Sequence, residues 1–346
     1  MHKEMKQKRR LDFQDAFQLY RDEDLLTLGA MADRVRQELH PGQTVTYVVD
    51  RNINYTNICC SRCRFCAFFR PAGHEEAYLI TKEELSQKIE ETIALGGTQI
   101  LLQGGIHPGL GLDYYTDLLG FIRTNFPVHV HGFSPPEIHY LAGKERRSLR
   151  DTLQDLMAAG LGSIPGGGAE ILVDRVRKQV SPHKCTADEW LSVMETAHDL
   201  GLRTTATMMF GHIETPEERL EHLFRIRDLQ DRTGGFTAFI PWTFQPDNTR
   251  LDLPKATSAE YLRLLALSRL VLDNVPNVQA SWVTQGPKIA QVALKFGAND
   301  LGSTMIEENV VAAAGVTFRL SRQDMIRIIE TAGFRAQQRD TFYNPV

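Results

Sequence analysis

Four of the five cysteines fall within eight positions, Cys59, Cys60, Cys63 and Cys66, and the fifth, Cys185, stands alone. An odd, clustered set is a poor disulfide framework and points to metal instead. Two ligand sets can be drawn: Cys59-x3-Cys63-x2-Cys66, or Cys60-x2-Cys63-x2-Cys66. The second starts like a bacterial ferredoxin run. Where that run needs its fourth thiolate, the chain has Arg70, followed by Pro71. An electron-carrying cluster needs every iron ligated by protein, and structural zinc wants four protein ligands. His74 could serve as a fourth, at a spacing outside the usual finger patterns, and Cys185 reads as a small buried residue. Three thiolates without a fourth leave one iron open to a small molecule, and that is the preferred reading.

The elements that must position this cluster follow a repeated unit of short apolar run, loop, capped amphipathic helix and glycine. Strands are predicted at 44–50, 99–102, 128–133, 204–209, 236–242 and 278–283. The pairs Thr81/Glu84, Thr186/Glu189, Thr215/Glu218 and Thr257/Glu260 match the capping box, in which hydroxyl and carboxylate satisfy free backbone N–H groups at a helix start. Leu85, Ile89 and Ile93 share one helical stripe, and Trp190, Val193, Met194 and Ala197 another. Such alternation implies parallel strands with helical crossovers, in an α/β fold. A run of such units without a linker favours a (β/α) TIM-type barrel, complete or partial, over an open sheet. The expected layout is an N-terminal helical extension over 1–43, the barrel over 44–310 and a C-terminal helical extension over 311–346. The cysteine loop follows the first strand, at the end where a barrel carries its chemistry.

Composition narrows the options. In 346 residues, 42% are hydrophobic and 24% charged, which excludes disorder and low complexity for the bulk of the chain. A net charge of −4 from 39 basic and 43 acidic residues gives no general pull toward nucleic acid or anionic membrane. No uninterrupted apolar stretch reaches the ~18 residues of a membrane span. The basic run Lys3 to Arg10 lacks a following apolar segment, so it does not read as a signal peptide. A cytoplasmic location is expected.

The spacing Cys59-x3-Cys63-x2-Cys66, with Phe65 just before the last cysteine, resembles the radical S-adenosylmethionine (SAM) superfamily. The resemblance implies a 4Fe–4S cluster on Cys59, Cys63 and Cys66, whose open iron binds SAM and whose electron releases a 5′-deoxyadenosyl radical. Gln103, Gly104 and Gly105 lie in Leu101-Leu-Gln-Gly-Gly-Ile-His107-Pro, where the superfamily often has a glycine pair whose backbone takes the SAM amino group. Other matching stretches are His131-Gly-Phe-Ser-Pro-Pro-Glu137, Ile164-Pro-Gly-Gly-Gly-Ala-Glu170 and Gly297-Ala-Asn-Asp300-Leu-Gly-Ser-Thr-Met-Ile-Glu-Glu308. Together they resemble the subgroup of menaquinone-pathway and deazaflavin-forming enzymes, and within it most of all the cyclase branch. That implies hydrogen abstraction from the ribose of dehypoxanthine futalosine, ring closure onto its benzoate, and a one-electron reductant such as flavodoxin or ferredoxin.

By position, Glu170 could hold the SAM ribose, or simply initiate a helix. His107 and His131, near strand ends, are the candidates for the base that the last step needs. His212, Glu137 and Asp300 are similar cases in which a structural role weighs more. Arg177 could meet the SAM carboxylate, and a solvated helix face is preferred for it. Trp242, Phe244 and Gln245 could wall the substrate, although the core reading is stronger for the aromatics. Gly166 to Gly168 lack the Gly-Lys-Ser/Thr of a phosphate loop.

Overall fold

A computed structural model describes residues 10–346, so the basic run Lys3 to Arg10 lies, apart from Arg10, outside the described residues. The strands are β1 Thr44–Val48, β2 Asn52–Asn54, β3 Gln99–Gln103, β4 His129–Gly132, β5 Ser163–Ile164, β6 Arg203–Phe210, β7 Phe236–Thr243, β8 Asn277–Val278, β9 Asp300–Ser303 and β10 Arg335–Gln338. The α-helices are α1 Phe13–Asp22, α2 Leu25–Leu39, α3 Lys82–Ala94, α4 Leu112–Asn125, α5 Pro135–Lys144, α6 Leu149–Ala159, α7 Asp174–Val180, α8 Ala187–Asp199, α9 Pro216–Thr233, α10 Ser258–Val271, α11 Trp282–Ala293 and α12 Arg322–Thr331. All four expected capping boxes form, at the starts of α3, α8, α9 and α10.

Strands β2 to β8 pair in chain order, all parallel, while β9 and β10 flank β1. The extended segment 44–54 serves both sets. Its first half pairs with β9 and β10, and its second half with β3. A parallel bridge from Gln279 to Asp300 brings the end of β8 to β9. The circuit is thereby closed around a lumen, which settles the choice between a barrel and an open sheet. The helices cover the outside, with Leu85, Ile89, Trp190, Val193, Met194 and Ala197 buried beneath them and Ile93 only partly so.

Two segments differ from expectation. The strand expected at 278–283 stops at Val278, because the Trp282 indole donates to the Ser303 carbonyl and the chain turns into α11. The C-terminal extension, expected to be helical, contains α12 and then a strand. Arg335–Gln338 lacks apolar alternation, yet its backbone pairs in register with Thr44 to Tyr47. That pairing carries Arg339, Thr341 and Tyr343 into the lumen wall. The N-terminal extension is two helices, of which α2 packs on α10. No helix among the described residues is long and apolar enough to cross a membrane.

Candidate active site at the barrel mouth and lumen

The cysteine loop leaves β2 at the C-terminal mouth of the barrel and is tied down by backbone bonds. The Arg70 N–H donates to the Asn57 carbonyl at 2.8 Å and the Cys59 N–H to the Arg70 carbonyl at 3.1 Å. The Cys60 N–H donates to the Ile106 carbonyl and the Arg64 N–H to the Val180 carbonyl, joining the loop to two other parts of the mouth. None of the cysteines is in a disulfide. The thiols of Cys59, Cys63 and Cys66 are electrostatic neighbours, whereas Cys60 meets Tyr140 and, of the other cysteines, its chain neighbour Cys59. The loop therefore favours the Cys59-x3-Cys63-x2-Cys66 set. Burial pushes the Cys63 thiol up to about 12, and the Lys184 ammonium opposes that rise. A thiolate here needs positive charge, which iron supplies.

Gly104 and Gly105 lie where the loop and β3 press together. A Cβ on Gly105 would stand 2.2 Å from the Ile58 carbonyl oxygen, and one on Gly104 would stand 2.6 Å from the Tyr55 ring. Only glycine permits that approach. Both N–H groups are used internally, Gly105 on the Thr56 carbonyl and Gly104 on Glu137 at 3.3 Å. Any backbone contact with a ligand therefore falls to the carbonyls. Gln103, beside them, lines the lumen, and its amide nitrogen lies against Gly167.

Glu170 holds a left-handed backbone, φ 42°, uncommon for a side chain of its size, while its carbonyl accepts from the Met209 N–H. Its carboxylate accepts from Lys184 Nζ at 2.7 Å. Burial pushes this carboxyl up, but Lys184 and Arg177 outweigh burial and keep it below its ordinary range. The same Nζ lies 5.2 Å from the centre of the Phe65 ring. Lys184 thus joins Glu170, Phe65 and Cys63, and sequence reasoning missed it. Its only sequence signal was its place between Pro182 and Cys185, in a loop with no motif. Arg177 is spent on the carbonyls of Gly168, Ala169 and Cys185, which makes it structural.

Below the mouth the lumen encloses a cavity of about 280 Å³ that includes Gln103, His131, Trp242 and Glu308 in its lining. His131 Nδ1 is 2.6 Å from Ser163 Oγ, and its Nε2 has no hydrogen-bond partner among the described residues. Burial, then His129 and Arg339, hold its ring down at about 3, so it is neutral. His107 is placed elsewhere. It is absent from the lumen wall, and its Nδ1 accepts from the Gly109 N–H at 2.9 Å, closing its own turn. His212 and Glu137 are tied to structural partners, Glu214 and Tyr55 respectively. Asp300 is fully buried against Arg339 at 2.6 Å. Phe244 is core, as expected, while Trp242 faces the lumen.

The donor set, three neighbouring free thiols that can each take a different iron, fits an iron–sulfur cluster. Among the described residues no three His, Cys, Asp or Glu groups converge on one point tightly enough for a single metal ion. A multi-iron cluster has no such need, since each thiolate binds a different iron. The glycine pair lets the cysteine loop sit directly on the end of β3, with Ile58 against Gly105 and Tyr55 against Gly104, which seats the thiols beside the lumen.

Comparison with known proteins agrees with this geometry. The model of the radical SAM superfamily matches residues 53–226, and that of the CofH/MqnC C-terminal region matches residues 233–346. The chain is 47% identical, over 96% of its length and 91% of the relative's, to a cyclic dehypoxanthine futalosine synthase of Halalkalibacterium halodurans. It is 43% identical, over 88% of its length and 85% of the relative's, to a 5-amino-6-(D-ribitylamino)uracil–L-tyrosine 4-hydroxyphenyl transferase of Methanopyrus kandleri. The crystal structure of methylornithine synthase (PylB) superposes with a TM-score of 0.72 at 17% identity, covering 95% of this chain and 94% of that one, and so shares its fold. With its three thiols at the mouth of a closed parallel barrel, the chain belongs to the radical SAM superfamily, in the branch that carries the CofH/MqnC C-terminal region.

Proposed function

We propose that this protein is a radical cyclase that closes the ribose of dehypoxanthine futalosine onto its benzoate ring, a step of menaquinone biosynthesis. The observation that carries the reading is the 47% identity to a protein of that activity over 96% of the chain. Members of this family use a 4Fe–4S cluster and SAM. When bound, the pair supplies a 5′-deoxyadenosyl radical that removes a hydrogen atom from the substrate.

The chain's own residues supply the setting. Cys59, Cys63 and Cys66 would hold the cluster. The carbonyls of Gly104 and Gly105, the free oxygen of Glu170, the Phe65 ring and the Gln103 amide would orient SAM. Lys184 fixes the Glu170 carboxylate and places a positive charge near Cys63. The closed barrel excludes water and quenchers, and the lumen holds sugar and ring at reacting distance, an orientation worth several powers of ten. His131, neutral and open on the lumen, takes the proton that ring closure releases. The electron that starts each turnover would come from a flavodoxin- or ferredoxin-type carrier in the cytoplasm.

The test is anaerobic incubation of cluster-loaded protein with SAM, a reductant and dehypoxanthine futalosine, read by mass spectrometry. A product lighter by a pair of hydrogen atoms is expected. Turnover only with tyrosine and a ribitylaminouracil would overturn the reading in favour of transferase chemistry.

A further inference from the structure

His129 and His131 stand two residues apart on β4, so both rings point to the same face of the barrel wall, one below the other. Ser163 is the β5 residue registered with His131. Its Oγ lies 2.6 Å from His131 Nδ1 and 2.7 Å from His129 Nε2. A hydroxyl has one proton to donate and two lone pairs to accept with, so with matching ring tautomers it links the two rings, accepting from one and donating to the other. The upper end of this chain opens on the lumen through His131 Nε2. The lower end lies at the N-terminal start of β4, where His129 is partly exposed and does not line the lumen. The edge contact of Phe342, 5.1 Å between ring centres, steadies the His129 ring. Its seat exists because position 162 is glycine: a Cβ there would stand 2.4 Å from His129 Cε1.

We propose that His131, Ser163 and His129 form a proton relay that carries the proton released by ring closure from the lumen to solvent at the barrel floor. The relay rests on the cyclase reading. Once the ribose carbon radical has added to the benzoate ring, the adduct regains aromaticity by losing one proton and one electron. The C–H bond at the new junction breaks and its electron pair joins the ring π electrons. One electron leaves to a one-electron acceptor of the iron–sulfur class, and the proton goes to His131 Nε2. His131 Nδ1–H passes its proton to Ser163 Oγ, and the Ser163 hydroxyl proton passes to His129 Nε2. Burial disfavours a cation at either ring. Of the two charged groups that face the chain from the C-terminal segment, Arg339 adds to that at His131 and Asp340 opposes it at His129, so these two charges bias the proton outward. A buried ring that holds a proton so poorly passes one on rather than storing it.

The test compares wild type with Ser163→Ala, Ser163→Thr, His129→Ala and Gly162→Ala, each cluster-loaded and given SAM and dehypoxanthine futalosine. The readouts are the ratio of 5′-deoxyadenosine to cyclised product and the solvent deuterium isotope effect on product. Hydrogen abstraction precedes proton loss, so relay variants keep cleaving SAM while product falls by about 100-fold, and the ratio rises. Ser163→Thr retains the hydroxyl and the coupling. Imidazole restores product in His129→Ala, and Gly162→Ala, which touches no substrate, behaves like His129→Ala. Nitrogen-15 NMR of the histidine rings, taken before cluster loading, reads the chain without turnover: Ser163→Ala shifts both rings. The relay is overturned if wild type cyclises while Ser163→Ala and His129→Ala keep its ratio and isotope effect. It is equally overturned if Ser163→Ala leaves both ring signals unchanged. If wild type yields no cyclised product, the cyclase reading is what has failed.

Discussion

The mouth and the floor of this barrel are built by opposite routes. At the mouth, three thiols come from one stretch of chain, and the glycine cradle is the turn that ends the next strand. At the floor, the polar wall is assembled from β4, from β5 and from the C-terminal segment after β10, so that His129 and Arg339, more than two hundred positions apart, share one wall. Asp300 and Arg339 pair there, Asp50 meets Ser303 and Gln99, and Thr341 reaches Gln99. Chemistry that needs a dense ligand set is written locally. Chemistry that needs a protected route through the wall is written across the fold.

Substitutions can break that contrast in decreasing order of effect. Cys63→Ser should abolish cluster loading and turnover while leaving thermal unfolding nearly unchanged. Cys185→Ser should retain both, as iron and sulfide analysis of anaerobically loaded protein would show. Normal turnover of Cys63→Ser would contradict the ligand assignment.

Two buried ion pairs sharpen the comparison. Arg339→Met strands Asp300 at the floor, and Lys184→Met strands Glu170 at the mouth. Each should cost about 3–5 kcal/mol in denaturant unfolding. Only Lys184→Met should also weaken cluster loading, because only Lys184 lies near Cys63. Equal loading in the two variants would remove the special role given to Lys184.

A pH series separates charge from packing. Burial pushes the Glu214 carboxyl up, but His212 and Arg219 outweigh it and bring the group down to about 2. The folded value is therefore depressed below the ordinary ~4.3 of an unfolded glutamate. The resulting stability is present above that unfolded value and is lost as pH falls through it toward about 2. Glu214→Gln should be destabilised by about 3 kcal/mol at neutral pH, a gap that closes in acid; a gap independent of pH would place the effect in packing. The smallest change is Thr215→Ala, which removes the cap of α9. It should cost about 1 kcal/mol, seen as a lower Tm with the cluster content unchanged.

Much of the frame was legible because its signals are short-range. A hydroxyl and a carboxylate three positions apart announced four helix starts, and all four boxes form. The same holds for Cys59, Cys63 and Cys66. Lys184 was not legible, since nothing near it in the chain announces a partner on Glu170. The two candidate histidines looked alike as strand-end residues, and only their neighbours separate them: His107 closes a turn, and His131 opens on the lumen with Ser163 behind it.

The amino-acid order by itself determined the alternation of strand and helix, the helix starts and the incomplete thiol set, because each depends on contacts within a few residues. Closure through Gln279 and Asp300, the return of the C-terminal strand to β1, and the alignment of His131, Ser163 and His129 were decided only in three dimensions. Polar strand residues have no periodic apolar mark. Their partners are chosen by register between strands, and register exists only once the barrel has closed.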